Sequence, residues 1–327
     1  MQFTVYILVL TLLLAGWIWG SLAIYVAGPE QASLRYGLLI VFILLLPVIF
    51  YLVKPFWMAS VCSMLVFSVL YLWWASLIPT NTKDWFADVA QTAHGELNGD
   101  HLVLNNIRNT DYRSLSDYTP HWETRDYDLS QLETLDIFLS YWGSPHVAHI
   151  IMSWGFSNGE HLAISIETRK VKGQKYSELK GFFKQYTLTY IAGDEQDLIR
   201  LRTNHRKEHV YFYRIQNIPL EYKRELLKIY FREMNTLHEQ PKFYHALLKN
   251  CTSGISRHFK TISPNSTLID WRLIANGHLD ELLYELRLIR RDIPFVKLRE
   301  LSRIDLRMQK ISSENFSKVL REGLVLQ

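Results

Sequence analysis

Residues 148–169 read AHIIMSWGFSNGEHLAISIETR, and the alternation in this stretch decides how the rest of the soluble chain is arranged. Ile150, Met152, Trp154 and Phe156 alternate with His149, Ile151, Ser153 and Gly155. Leu162, Ile164 and Ile166 alternate with His161, Ala163, Ser165 and Glu167. Period-two patterning on both sides of Ser157-Asn158-Gly159 predicts a β-hairpin. Opposed residues on antiparallel strands share a face, so even positions must pair with even ones. A three-residue loop with Gly159 in the left-handed region meets that parity and opposes Phe156 to Glu160. The same register sets His149 across from Glu167.

Outward from the hairpin the signals thin. On the N-terminal side, 101–107 alternates as a short strand, and 129–142 carries an apolar pattern ending in Gly-Ser-Pro. Between them, 112–127 is rich in Asp, Ser, Thr and Pro and reads as a long surface segment. Residues 81–100 have few periodic apolar positions and read as a linker. On the C-terminal side, strands are expected at 186–191 and 209–214. A helix is expected at 220–237, with Leu226, Leu227, Tyr230 and Met234 on one stripe. Further helical stretches are expected around Cys251, where Ile255 and Phe259 lie one turn apart, and at 282–289 and 316–320.

The first 80 residues are of another kind. Residues 3–28, 36–53 and 55–82 contain no Asp, Glu, Lys or Arg. A helix needs roughly 20 residues to cross about 30 Å of hydrocarbon, so three transmembrane helices are expected, at about 5–27, 36–53 and 56–78. A cleaved signal peptide fits poorly, because the basic leading region is missing and two more apolar runs follow. The expected division is a membrane region, 1–82, and an extracytoplasmic domain, 83–327. Arg35 and Lys54 balance the two short loops, so charge alone leaves the orientation open.

A net charge of +4 with interleaved signs leaves no footprint for nucleic-acid binding. Cys62 lies in the third apolar run, which leaves Cys251 as the sole thiol of the soluble part. A lone cysteine serves equally well as a buried apolar side chain or as a nucleophile, so its neighbours decide. Asn250 suits a helix cap, and Thr252, Ser253 and Gly254 are small residues suited to a helix start beside a substrate. A backbone N–H there could face an oxyanion. His149 is the candidate base, with Glu167 across the hairpin to hold one ring nitrogen and leave the other for the thiol. The alternative is a surface pair on an exposed sheet face.

His146 and His149 would point to opposite faces of a strand, which argues against a metal pair, and no metal or cofactor is expected. The run Asp194, Glu195, Asp197 near Arg200 and Arg202 reads as a solvated, salt-bridged turn.

Several short stretches, in order, resemble the periplasmic domain of the Lnb-type bacterial lipoprotein N-acyltransferases. They are Asn106-Ile107-Arg108-Asn109, Trp122 to Tyr127 (WETRDY), Ala148-His149 with Ser153 to Phe156 (SWGF), and Ser165 to Arg169 (SIETR). Gly193-Asp194-Glu195, Leu201 to Asn204 (LRTN), Asn250-Cys251-Thr252, Asp270-Trp271-Arg272 and Asn276 to Glu281 (NGHLDE) continue the series. The resemblance implies an α+β fold of the permuted papain/NlpC-like type, with the histidine strand preceding the cysteine, following three transmembrane α-helices. It implies a periplasmic C-terminal domain on a multi-pass inner-membrane protein. The order of His149 before Cys251 fits that fold, and the candidate catalytic set is Cys251, His149 and Glu167, with Asn250 and Thr252 as substrate or oxyanion neighbours. The expected activity is acyl transfer from a membrane phospholipid, through a thioester, to the N-terminal amine of a lipoprotein. A thiol peptidase or amidase acting on cell-wall peptides, or a non-catalytic lipid-binding module, would use the same fold. One departure stands out: the family is named for an N-terminal domain, whereas here the domain follows three helices. No role for Asp194 or Arg202 follows from the resemblance.

Overall fold

The computed structural model describes residues 2–246, 254, 270–309, 311, 315–322 and 324. They fall into two compact units. One comprises the chain up to Thr80 together with Tyr176–Tyr186, and the other comprises Asn81–Lys175 and the chain from Thr187 onward.

The first unit is built on α1 (Gln2–Ala27), α2 (Ala32–Leu52) and α3 (Phe56–Ser76). Each contains a stretch of 21 or more residues long and apolar enough to span a membrane. At 1.5 Å per residue, 21 residues cover about 30 Å. Trp17 stacks on Phe42 at 4.7 Å and donates from Nε1 to its carbonyl oxygen, tying α1 to α2. The short helix α4 (Glu178–Phe182) also belongs to this unit.

The second unit is mixed α/β. Its strands are β1 (His94–Asn98), β2 (His101–Arg108), β3 (Asp111–Tyr112), β4 (Tyr118–Thr119), β5 (Trp122–Asp128), β6 (Leu132–Tyr141), β7 (Ala148–Phe156), β8 (His161–Arg169), β9 (Thr187–Gly193) and β10 (His209–Arg214). The main sheet runs β1-β2-β9-β8-β7-β6-β10, with β5 along β2. Among the described residues only the β2–β9 pairing, Arg108 with Gly193, is parallel.

The β7–β8 hairpin has the register that parity demands. Met152 opposes Ile164, Trp154 opposes Leu162, and Phe156 donates its backbone N–H to Glu160. Gly159 takes the left-handed region at φ +87°, where a side chain would be strained. Even residues of β7 and β8 face one side, packed against α6 (Leu220–Glu239). Leu226, Leu227, Tyr230 and Met234 are buried there, one face of a helix at 3.6 residues per turn.

Odd residues face the other side, where the sequence pattern suggested a polar surface. That face is covered as well. All nine residues of β7 are buried. Ile151 and Ala163 pack in a second apolar cluster with residues of α5 (Glu195–Arg200) and with Ile304, Met308, Phe316 and Leu320 near the C-terminus. Past α6 the described helices are α7 (Leu279–Glu285), α8 (Phe295–Ser302), α9 (Asp305–Met308) and α10 (Phe316–Arg321).

Three other expectations change. The supposed linker 81–100 is docked: the Asn81 amide donates to the carbonyls of Leu237 and His238, Trp85 is buried, and β1 pairs with β2. The supposed surface segment 112–127 contains β5, which pairs with β2 along its length. The acidic run around Glu195 is buried, with Glu195 and Asp197 both fully shielded from solvent. Asn81 and Glu195 are ordered by partners remote in sequence, Leu237, His238 and Arg321, whereas β1 and β5 pair with the nearby β2.

Candidate functional site

His149 opens β7, with Ser140 of β6 as its direct neighbour across the ladder. Its Nε2 lies 2.6 Å from Ser165 Oγ and 3.1 Å from Glu167 Oε1. Ser165 donates its hydroxyl to Glu167 Oε1 at 2.8 Å. A hydroxyl has one proton, so if it goes to Glu167, Ser165 Oγ accepts from His149 Nε2–H. The neutral imidazole then carries its proton on Nε2, and Nδ1 is its basic nitrogen.

The carboxylate is itself held. Arg202 donates from Nη2 to Glu167 Oε1 at 2.7 Å and from Nη1 to Glu208 Oε2 at 3.1 Å. Ser140 donates to the same Glu208 oxygen at 2.5 Å. A chain of bonds thus runs from Ser140 through Glu208, Arg202 and Glu167 to His149, the ladder neighbour of Ser140. Arg202 sits in Leu201–His205, a π-helical turn continuing α5, and such wide turns often occur at functional sites. Burial alone would push the Glu167 carboxyl upward. Nearby His149 and Arg202 outweigh it and hold the carboxyl well below the usual range. Glu208 is likewise held low against burial, by Arg202 and Arg206. Glu167 is therefore an anion at neutral pH, fit to orient an imidazole and to stabilise an imidazolium.

Of the residues singled out in the sequence, His149 and Glu167 are brought together. Asn250, Cys251 and Thr252 lie outside the described residues. Gly254 is described, buried against Ile166 and Tyr190: a Cβ there would stand 2.9 Å from Ile166 Cδ1 and 3.3 Å from the Tyr190 hydroxyl. Those two side chains belong to the apolar face of the sheet, opposite the face that carries His149. The start of β7 is further fixed by Asn276, whose side chain accepts from the Ala148 N–H and donates to the Ala148 carbonyl.

Ser140, Ser165, Arg202 and Glu208 complete the site and were missed. The signal for Ser165 was present, since it lies two residues from Glu167 and so on the same face. Arg202 and Glu208 gave no local sign.

The acidic run is not a solvated turn. Asp194 pairs with Arg125, Asp197 forms a two-pronged pair with Arg108, and Glu195 pairs with Arg321. The stretches around Asn106, Trp122 and Gly193 thereby meet in one partly buried region, joined also by the Asn109 amide on Glu123.

His146, expected to stand apart from His149, lies 2.9 Å from His278 instead. Asp136, His161 and Glu195 bring possible metal-ligating atoms within 4.8 Å of one another. Arg321 bridges the two carboxylates, at 2.6 Å from Asp136 and 2.7 Å from Glu195. Arg214 also pairs with Asp136, so two guanidinium groups face the two carboxylates.

The class defined so far is a mixed α/β domain with a buried histidine hydrogen-bonded beside an ion-paired glutamate, in a chain with three candidate membrane spans. Residues 118–277, just under half of the chain, match the family model of the Lnb N-terminal periplasmic domain, the family whose motifs the sequence resembles. The match contains His149, Glu167, Arg202 and Cys251. Together with the three apolar helices it fits a membrane-associated, inner-membrane protein with a periplasmic C-terminal domain. No curated protein and no solved structure matches the chain.

Proposed function

We propose that the chain is a multi-pass inner-membrane acyltransferase, with Cys251 as nucleophile, in a periplasmic domain of permuted papain-like fold. The observation that carries this reading is the buried His149–Glu167 pair, whose hydrogen bonding puts the proton on Nε2 and makes Nδ1 the base.

In the first half-reaction His149 Nδ1 takes the Cys251 proton and the thiolate attacks an ester carbonyl of a phospholipid. The carbon–oxygen bond breaks, the lysolipid oxygen takes the proton back from His149, and the acyl chain remains as a thioester. In the second half-reaction an amine attacks the thioester, His149 accepts its proton, and the departing thiolate is reprotonated. Glu167 stabilises the imidazolium in both. Asn250 and Thr252, the sequence neighbours of Cys251, are assigned the support of the oxyanion.

Membrane anchoring supports a lipid donor and a lipidated acceptor, since an enzyme held in the bilayer meets both at high effective concentration. The acceptor is then a lipoprotein N-terminal amine, and the domain faces the periplasm with the N-terminus of the chain and Lys54 on the cytoplasmic side. In a strain with no other such enzyme, the wild-type chain should restore N-acylated lipoproteins, read by mass spectrometry of their N-terminal peptides, and Cys251→Ala should not. Equal restoration by Cys251→Ala would sink the proposal.

A further inference from the structure

The connection between β8 and β9 is long, and its latter part, Tyr176–Tyr186, groups with the apolar helices. Lys184, at φ +57°, donates from Nζ to the carbonyl oxygens of Trp74 at 2.9 Å and Ala75 at 3.0 Å. Its ammonium also stands 4.3 Å from the centre of the Trp74 ring. These carbonyls belong to the last turn of α3, where Trp74 otherwise accepts only the long Leu77 N–H at 3.4 Å among the described backbone bonds and a cation is favoured by the helix dipole. Phe183 is buried with its ring 5.8 Å from Trp19. Tyr176 stacks on Tyr186 at 5.7 Å, and the Tyr186 hydroxyl accepts the Ser177 N–H at 2.7 Å. The segment is thus held by side-chain and backbone contacts at the end of an apolar helix.

Its depth follows from α3. A 21-residue apolar helix has about the length of the hydrocarbon layer, so its last turn lies near the boundary with water. A segment bonded to the Trp74 and Ala75 carbonyls lies near that boundary too. Tyr176 and Leu179 are exposed there, at 44% and 39%, with Lys180 close by in sequence. An amphipathic aromatic, an aliphatic side chain and a lysine suit a bilayer interface, where apolar bodies are covered and polar tips stay wet.

We propose that Tyr176–Tyr186 is an interfacial membrane element whose exposed Tyr176 and Leu179 enter the headgroup layer of the phospholipid bilayer. The occupant is phospholipid, because the contact that fixes the segment is to the end of a candidate span. The inference rests on the reading of α3 as membrane-spanning.

The test uses the full chain in phospholipid nanodiscs, with Cys62→Ala and Cys251→Ala and one spin-labelled cysteine. That cysteine is introduced as Leu179→Cys, as Val69→Cys on α3, or as Asn158→Cys in the β7–β8 turn. Power saturation compares molecular oxygen with a water-soluble nickel chelate. The label at 179 should be several-fold less accessible to nickel than the one at 158, with oxygen accessibility between those of 158 and 69. Nickel accessibility at 179 equal to that at 158, with 69 protected, overturns the interfacial element and leaves the span standing. Nickel access at 69 as well overturns the span and the inference together.

Discussion

The two faces of the β7–β8 hairpin are both buried, and they are filled in opposite ways. The even face presents Ile150, Met152, Trp154, Ile164 and Ile166 to the apolar stripe of α6. The odd face carries His149, Ser153, Ser165 and Glu167 among ion pairs, with Ile151 and Ala163 between them. Apolar burial is tolerant: side chains of similar volume exchange at modest cost. A buried ion is not, because a charge left without its partner has lost its water and gained nothing. The difference separates the face that holds the domain together from the face that holds particular side chains in place.

The largest stability effect should come from emptying the apolar face. Trp154 is fully buried, packs edge-on against Tyr230 at 5.1 Å, and donates from Nε1 to the Lys223 carbonyl. Trp154→Ala should cost ~3–5 kcal/mol, read by denaturant unfolding in detergent. A loss below 1 kcal/mol would mean that α6 does not depend on this face.

Next comes the ionic face. Arg321→Ala strips Glu195 of its arginine but leaves Arg214 on Asp136 and Ser153 on Glu195, so about 3 kcal/mol is expected, at the lower end for a broken buried pair. The pH dependence sharpens this. Burial pushes the Glu195 carboxyl up, yet Arg321 brings it down to about 2. A depressed carboxyl stabilises the fold above its unfolded pKa, ~4.3, and loses that contribution as pH falls toward 2. Between those values Arg321→Ala should show a flatter stability curve than the wild type. Parallel curves would contradict the assigned pairing.

The smallest change is Ser165→Ala. The Glu167 oxygen already lies 3.1 Å from His149 Nε2, so a direct bond can replace the relay. Stability should move by ~1 kcal/mol or less, and acyl transfer, followed with a labelled phospholipid, should fall about tenfold. A loss as deep as that of His149→Ala would make Ser165 indispensable to the base.

The contrast between faces also explains what could be read from sequence. The hairpin register, the strand at 209–214 and the stripe of α6 were legible because period and parity are local properties. So was the pairing of His149 with Glu167. The burial of Glu195 was not, because Arg321, far along the chain, neutralises it. The docking of Asn81 was hidden in the same way, since its amide is satisfied by carbonyls of Leu237 and His238. Strand β5 was obscured by Glu123, Arg125 and Asp126, charges that a sequence pattern assigns to a loop. Arg202 was left without a role and Glu208 escaped notice, because their part lies in joining Glu167 to Ser140, which only the folded chain brings near.

The central claim is a thioester on Cys251 formed with His149 as base. Its most direct test is the intact mass of the purified full chain after incubation with phospholipid, beside Cys251→Ala and His149→Ala. The wild type should gain one fatty-acyl mass that hydroxylamine removes, and neither variant should gain it. An unmodified wild type with the lipid intact, or an adduct that survives in Cys251→Ala, would contradict the account.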